Sequence, residues 1–389
     1  MTPVLRRLVP VVLLVSVSLA ACGDDDEDGG GDVDSAEVIT GYADGVLASY
    51  TASLASATTM DTAIDGFLAD PSAATLEAAK AAWLAARNDY GLTESFRFYD
   101  GPIDNAETGK EGQINAWPMD EAYVDYVEGF LAAGIINDPS TYPTIDAELL
   151  TSLNEAGGEA NIATGWHAIE FLLWGQDLSA DGPGARPVED YTSAVASDRR
   201  ATYLTVVTDL LIGDLGELVD AWSDTDGSYR AEFLALPADE ALTKIITGAG
   251  ELSRGELAGE RMNVAYQERS QEDEHSCFSD NTTNDLVANA TAVAMVLTGD
   301  FPSGKQSPSI LDLVRAEDAD LADQLTSELA ASVDATKAIP APFDKVLVAG
   351  VPDDDPARAS VLTAITELQD QTDTIVAAAK AIGVTIEVS

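Results

Sequence analysis

From Ser35 to the end of the chain, alanine and leucine recur at helical spacing in long stretches broken only by short glycine or proline punctuation. No segment alternates apolar and polar residues convincingly, as a half-buried strand must. The pattern predicts an all-α chain with helices over about 35–69, 72–98, 118–133, 144–157, 158–174, 187–223, 229–269, 282–299, 308–339 and 355–382. Pro71, Pro118, Pro143, Pro187, Pro308 and Pro356 each stand near a proposed helix start, where the missing N–H costs nothing. The strongest internal break is the Gly/Pro-rich segment 179–187. It divides the body into an N-terminal helical bundle, 35–182, and a C-terminal helical bundle, 187–389, each long enough for an up-down bundle with its own core. Both halves run a long helix into a polar, acid-bearing loop, Glu94 to Asp104 and Glu272 to Asp285. That likeness fits a distant internal duplication and equally the chance similarity of two bundles.

The N-terminus has a different character. Arg6 and Arg7 precede an apolar run from Leu8 to Ala20, too short and too closely followed by acid to span a bilayer. Residues 1–21 read as a lipoprotein signal peptide, because Leu19-Ala20-Ala21-Cys22 matches a bacterial lipobox in which the Cys22 thiol takes the lipid. A bare secretory signal is the alternative. The expected location is the cell envelope, with the chain lipid-anchored through Cys22 on the extracytoplasmic side of a membrane, periplasmic or at the cell surface. Residues 22–34 are acidic and glycine-rich and read as a flexible tether.

The full sequence carries a formal net charge of −48, which becomes −50 once Arg6 and Arg7 leave with the signal. Such an excess of acid makes nucleic acid an implausible partner. It fits a solvated surface suited to saline surroundings, and also a field that gathers cations. With Cys22 acylated, Cys277 has no partner for a disulfide.

The most informative segment is Gly165-Trp166-His167-Ala168-Ile169-Glu170-Phe171-Leu172-Leu173-Trp174. His167 and Glu170 are three apart and share a helix face, while the rest of the circumference is apolar, so both should be buried. A buried glutamate needs a cation, a proton or hydrogen-bond donors. An imidazole and a carboxylate one turn apart can share a divalent ion, and they can equally form a plain hydrogen bond that ties the core together. The chain has two histidines, and the second, His275, lies in Gln271-Glu272-Asp273-Glu274-His275-Ser276-Cys277-Phe278-Ser279-Asp280. That stretch is rich in metal-ligating groups, and as a solvated acidic loop it would be unremarkable in composition. A third stretch, 93–104, interleaves Glu94, Arg97, Asp100 and Asp104 with aromatics, which reads as a site or as an aromatic core with a charged rim. Trp117 and Asp120 follow, where Asp120 and Glu121 could simply favour a helix N-terminus.

Together the segments ESFRFYDGPID, NAWPMDEAYVDYV, GWHAIEFLLWGQD, GELAGERMNVAY and QEDEHSCFSDNT, in this order, resemble the imelysin family, whose Gly-x-His-x-x-Glu motif is matched by Gly165, His167 and Glu170. The resemblance covers nearly all of the processed chain and looks closest to the branch of iron-regulated lipoproteins. It implies two helical-bundle domains with a site at their interface and a role in iron acquisition. Related domains occur in the periplasmic component of a ferrous-iron uptake system. The family also contains a peptidase once described as insulin-cleaving. A zincin helix, however, needs a glutamate beside the first histidine and a second histidine four residues on, and here those positions are Ala168 and Phe171.

The expected function is therefore an extracytoplasmic lipoprotein that binds a divalent metal, iron ahead of zinc, in partnership with the membrane and iron-uptake components. His167 and Glu170 are the first ligands, with Glu94, Asp273 and His275 as further ones. Gly165, Arg97, Asp100, Trp117, Asp120, Arg261 and Glu272 are further candidates for the site. A metal-dependent peptidase and a non-catalytic surface or haem-associated receptor are the alternatives.

Overall fold

A computed structural model describes residues 33–389, and they form one compact unit. The signal segment, Cys22 and nearly all of the tether lie outside the described residues. Eight long helices carry the architecture: α1 (Ser35–Ala69), α2 (Ala73–Gly91), α3 (Gly165–Trp174), α4 (Ser197–Trp222), α5 (Ala238–Glu251), α6 (Thr282–Thr298), α7 (Ala319–Lys337) and α8 (Pro356–Ala381). The described residues are all-α apart from one isolated bridge, Val127 to Phe130, and a hairpin of two-residue strands, Asp300–Phe301 and Gly304–Lys305, which the sequence did not announce.

Local chemistry accounts for the helix ends. The Asp34 carboxylate accepts the Ala36 N–H at 2.9 Å and caps α1. Ser72 and Thr75 form a reciprocal capping box on α2. Pro356 stands in the first turn of α8 behind an Asp355 cap. Along α1 the buried residues Val38, Ile39, Tyr42, Val46, Tyr50, Met60, Ile64 and Phe67 make one apolar stripe. Every residue of α3 is buried, so it is a central helix with no solvent face.

Helices α1, α2, α3 and α4 pack on one another, and α6, α7 and α8 pack with the helix that follows α5 in a second group. The 179–187 break does not separate these groups. Helix α4 lies beyond it yet returns to pack on α1 and α3, and the larger core draws residues from both sides of the break. The groups meet where α2 faces α6.

Several expected helices come out shorter: 144–157 becomes Ala147–Leu153, 158–174 and 187–223 begin at Gly165 and Ser197, and 308–339 is split at Asp318 into Ile310–Glu317 and Ala319–Lys337. Two others change most. The 118–133 helix shrinks to Glu121–Val124, because Asp125 turns inward to Arg186 and Arg200, and Gly129 adopts φ +81° in a turn. Phe130 and Leu131 consequently point to solvent. The expected 229–269 helix stops at Leu234 and restarts after Pro237, and from Leu252 to Val264 it winds as a π-helix before closing with Ala265–Glu268. The π winding has a local reason. Residues five apart on an α-helix point about 140° away from each other, whereas i→i+5 winding brings them onto one side. Glu256 and Arg261 are five apart and bond at 2.7 Å.

Candidate functional site

Helix α3 is positioned by tryptophan. Trp83 of α2 meets Trp166 and Trp174 edge-on at ring distances of 6.2 and 5.4 Å, and its indole N–H donates to the Trp166 carbonyl at 3.2 Å. Gly165 starts the helix at φ +82°, and a Cβ there would stand 2.4 Å from the Ile114 carbonyl oxygen. The glycine of the motif is therefore demanded by backbone conformation and by close approach of the 113–114 segment.

His167 and Glu170, both fully within the core, bond through Nδ1 and Oε2 at 3.0 Å. The other glutamate oxygen accepts the Ser279 N–H at 2.9 Å and the Ser279 hydroxyl at 2.6 Å. Burial pushes the Glu170 carboxyl up to about 8, with the Ser279 hydroxyl pulling the other way. Burial, and then Arg87 and His275, hold the His167 imidazole well below its ordinary value, so the ring is neutral. Nε2, also buried, has no hydrogen-bond partner. Where Glu170 is ionised, as a cation bound nearby would make it, Nδ1–H is donated to Glu170 and Nε2 carries the lone pair.

His275 reaches the same place from the far half of the chain. Its ring meets that of His167 edge-on at 5.1 Å, and the ring of Trp117 at 5.6 Å. Asp285 at the start of α6 accepts from its Nδ1 at 2.9 Å, and a terminal nitrogen of Arg87 lies 3.3 Å from both ring nitrogens. Both nitrogens of His275 are thus engaged. Burial, with Arg261 and Arg87, keeps this ring neutral as well. Ser276 and Asn281 complete the ring of donors around Asp285 at 2.6 and 2.8 Å.

A polar chain runs on from there through the interior. Arg87 donates to Asn115, Asn115 donates to Glu94 at 2.9 Å, and Glu94 pairs with Arg261 at 2.5 Å. Arg97 joins Glu94, Glu111 and Glu256 at 3.5, 3.1 and 3.9 Å. Burial would lift the Glu256 carboxyl, but Arg261 and Arg97 outweigh it and hold it below its ordinary value.

The structure thus brings Gly165, His167, Glu170, His275 and Trp117 together and links Glu94, Arg97 and Arg261 to them through Arg87 and Asn115. It does not make Glu94 a partner of His167, and it leaves Asp100, Asp120, Glu272 and Asp273 out of the cluster. Glu94 is bound by arginine and asparagine rather than facing His167. Asp100 is exposed and accepts from Asn105 at 2.8 Å, and Asp120 is exposed and caps the Glu121–Val124 helix. Glu272 and Asp273 sit on a short 3-10 turn, and neither bonds His167 or Glu170. Arg87, Asn115, Ser279 and Asp285 are the residues that the sequence reading missed. Arg87 alone left a trace, as a cation within the apolar stripe of Trp83, Ala86 and Tyr90.

A metal is expected here, and the donors meet it in part. The free Nε2 of His167, backed by a carboxylate on Nδ1, is the arrangement in which imidazole ligates a metal. Yet among the described residues neither His167 nor Glu170 belongs to a set of three ligating side chains within 4.8 Å of one another; Asp177, Asp280 and Asp344 form such a set.

Comparison with known proteins shows the family and the fold. Iron-regulated protein A of Synechococcus elongatus is 26% identical over 349 residues, which is 87% of this chain and 84% of that protein. A crystal structure described as an iron-regulated protein A precursor from Parabacteroides distasonis superposes with a TM-score of 0.67 at 19% identity, covering 89% of this chain and 97% of that one. An imelysin-like protein from Psychrobacter arcticus gives 0.62 at 14% identity, covering 91% and 99%. These two structures share the fold. Because residues 46–375 match the family model described as Imelysin, the chain belongs to the imelysin family.

Proposed function

We propose that this protein is an extracytoplasmic lipoprotein of iron acquisition that binds a divalent iron ion through His167 Nε2. The observation that carries the reading is the buried, unpartnered Nε2 of a neutral imidazole. Glu170 holds the tautomer and, itself fixed by Ser279, orients the ring. His275 is the nearest second imidazole, and it becomes available once Arg87 turns fully to Asp285 and Asn115. Imidazole nitrogens suit a first-row divalent ion such as iron or zinc, and Glu170, expected as a ligand, acts here on the ring rather than on the ion. The name of the Synechococcus relative, iron-regulated protein A, favours iron. No helix among the described residues is long and apolar enough to cross a membrane, which leaves the Cys22 lipid as the anchor in this proposal.

Anaerobic titration of the purified protein with ferrous iron tests it. His167→Ala should abolish the tight site, Glu170→Gln should weaken it by about 10–100-fold as loss of an orienting partner does, and His275→Ala should weaken it measurably. Iron and zinc binding unchanged in His167→Ala would sink the proposal.

A further inference from the structure

Four carboxyl groups converge at a place that the His167 site does not use. Asp177 follows the end of α3, Glu274 and Asp280 lie on the segment before α6, and Asp344 opens a short helix, Asp344–Leu347. One oxygen each from Asp177, Asp280 and Asp344 lie within 4.8 Å of one another, and the Glu274 carboxyl faces Asp344 and Asp280. Glu274 is 1% and Asp344 2% exposed. Both oxygens of each, together with Asp280 Oδ1, have no hydrogen-bond partner. The Thr282 hydroxyl approaches Glu274 without hydrogen-bond geometry.

The rest of the interior treats its acids differently. Glu94, Asp125, Asp190, Asp214 and Asp285 are buried, and each is paired with arginine or lysine. Glu170 has two donors from Ser279. Among the described residues no lysine or arginine pairs with Asp177, Glu274, Asp280 or Asp344. Asp177, at the more open edge, accepts from the Ser179 N–H at 2.9 Å and from Gln271 at 3.0 Å. Glu274 and Asp344, however, are buried with no donor, and carboxylates so placed are too costly to persist unless a cation or protons neutralise them.

We propose that Asp177, Glu274, Asp280 and Asp344 form a calcium site that ties the loop after α3, the 274–280 segment and the Asp344–Leu347 helix together. An all-oxygen, carboxylate-rich donor set selects a hard ion and disfavours copper or zinc. Calcium accepts six to eight oxygens from several carboxylates, whereas magnesium typically takes one or two and keeps its waters. Oxygens within 4.8 Å of one another are close enough to share one calcium ion, whose opposite ligands stand about 4.6–5.2 Å apart. In the absence of an ion, burial and the neighbouring acids push Asp280 up to about 7, while burial pushes Asp177 to about 6 and Glu274 well above its ordinary range. An ion would displace those protons.

The site is distinct from the His167 centre but shares a segment with it. Residues 274–280 carry His275 and Ser279, which touch His167 and Glu170. Calcium would therefore hold in place two of the groups that shape the His167 pocket.

The test uses the whole purified protein, stripped with a chelator and returned to metal-free buffer at physiological salt. Terbium should bind at one site per chain, with luminescence sensitised by Trp174 three residues from Asp177, and calcium should displace it in preference to magnesium or ferrous iron. Calcium should raise Tm. Asp280→Asn and Asp344→Asn should each weaken calcium binding by about tenfold or more. The same changes should raise Tm in chelator, because they relieve repulsion, while removing the calcium-dependent gain. A residue that merely packs would not give those opposite signs. If Asp344→Asn does not fold, Asp177→Asn at the more open edge gives the same reading. Asp320→Asn, an exposed acid elsewhere, should change nothing, and His167→Ala should retain calcium whether or not it loses iron. Absence of binding, weak multi-site binding indifferent to these variants, or preference for magnesium or iron would each overturn the proposal.

Discussion

A buried carboxylate survives only with compensation, and Asp125 shows how strong that compensation is here. It accepts from Arg200 at 2.6 and 2.9 Å and from Arg186 at 2.9 Å. Burial alone would raise its pKa, but the two arginines prevail and hold it below the ordinary value. A carboxylate depressed on folding contributes stability above its unfolded pKa of about 3.9, and that contribution is lost as the pH falls through the folded value. Asp125→Ala should therefore cost about 3–5 kcal/mol at neutral pH, since it leaves buried Arg200 without a carboxylate and buried Arg186 with Asp190 alone. Urea unfolding should show the gap to the unmodified protein narrowing below about pH 4; a gap that stays constant would refute this account. His167 and Glu170 were legible because a three-residue spacing on an apolar helix forces both inward, and His275 because histidine is so rare in this chain. Asp285 and Ser279 were not legible, since nothing local distinguishes a helix-start aspartate or a loop serine that happens to meet a buried partner from the other half of the chain.

At the scale of elements, the motif helix depends on how it begins. Gly165 combines φ +82° with the close carbonyl of Ile114. Gly165→Ala should destabilise the protein by about 2 kcal/mol or more, as strain at a left-handed position does. Thermal unfolding measures it, and an unchanged Tm would mean that the start of α3 can relax. The long helices α1, α6 and α8 were legible to within a residue or two because their apolar stripes and caps are local properties. The 118–133 segment was not, because its competing partners, Arg186 and Arg200, lie some sixty or more residues further along the chain. The π-helix was also hidden, because it differs from an α-helix in winding rather than in composition.

For the whole molecule, the all-α class followed from periodicity, but the placing of the 179–187 break did not predict how helices group. A loop rich in glycine and proline marks where the backbone turns, and α4 shows that the chain can turn and come back to the same core. Anchoring is a separate question that the described residues do not touch. Cys22→Ser should release the protein from the membrane fraction, and a variant that still fractionates as an acylated species would refute the lipobox reading.

Arg87, Arg97, Arg186, Arg200, Arg230, Arg261 and Arg358 are all buried. Arg87, Arg97, Arg186, Arg200 and Arg261 neutralise acids inside the protein, while Arg230 and Arg358 reach exposed Asp44 and Asp353, and few cations are left on the outside. The outer face is therefore more one-sided in charge than the composition suggests. It must carry a dense atmosphere of mobile counterions, confined at physiological salt to a layer of about 8 Å. Within that layer divalent ions are enriched over the bulk, because the potential acts on them twice as strongly as on sodium. A metal ion reaching this protein in dilute surroundings would thus be concentrated at its skin before meeting any ligand, and the enrichment would fade as the salt of the medium rises.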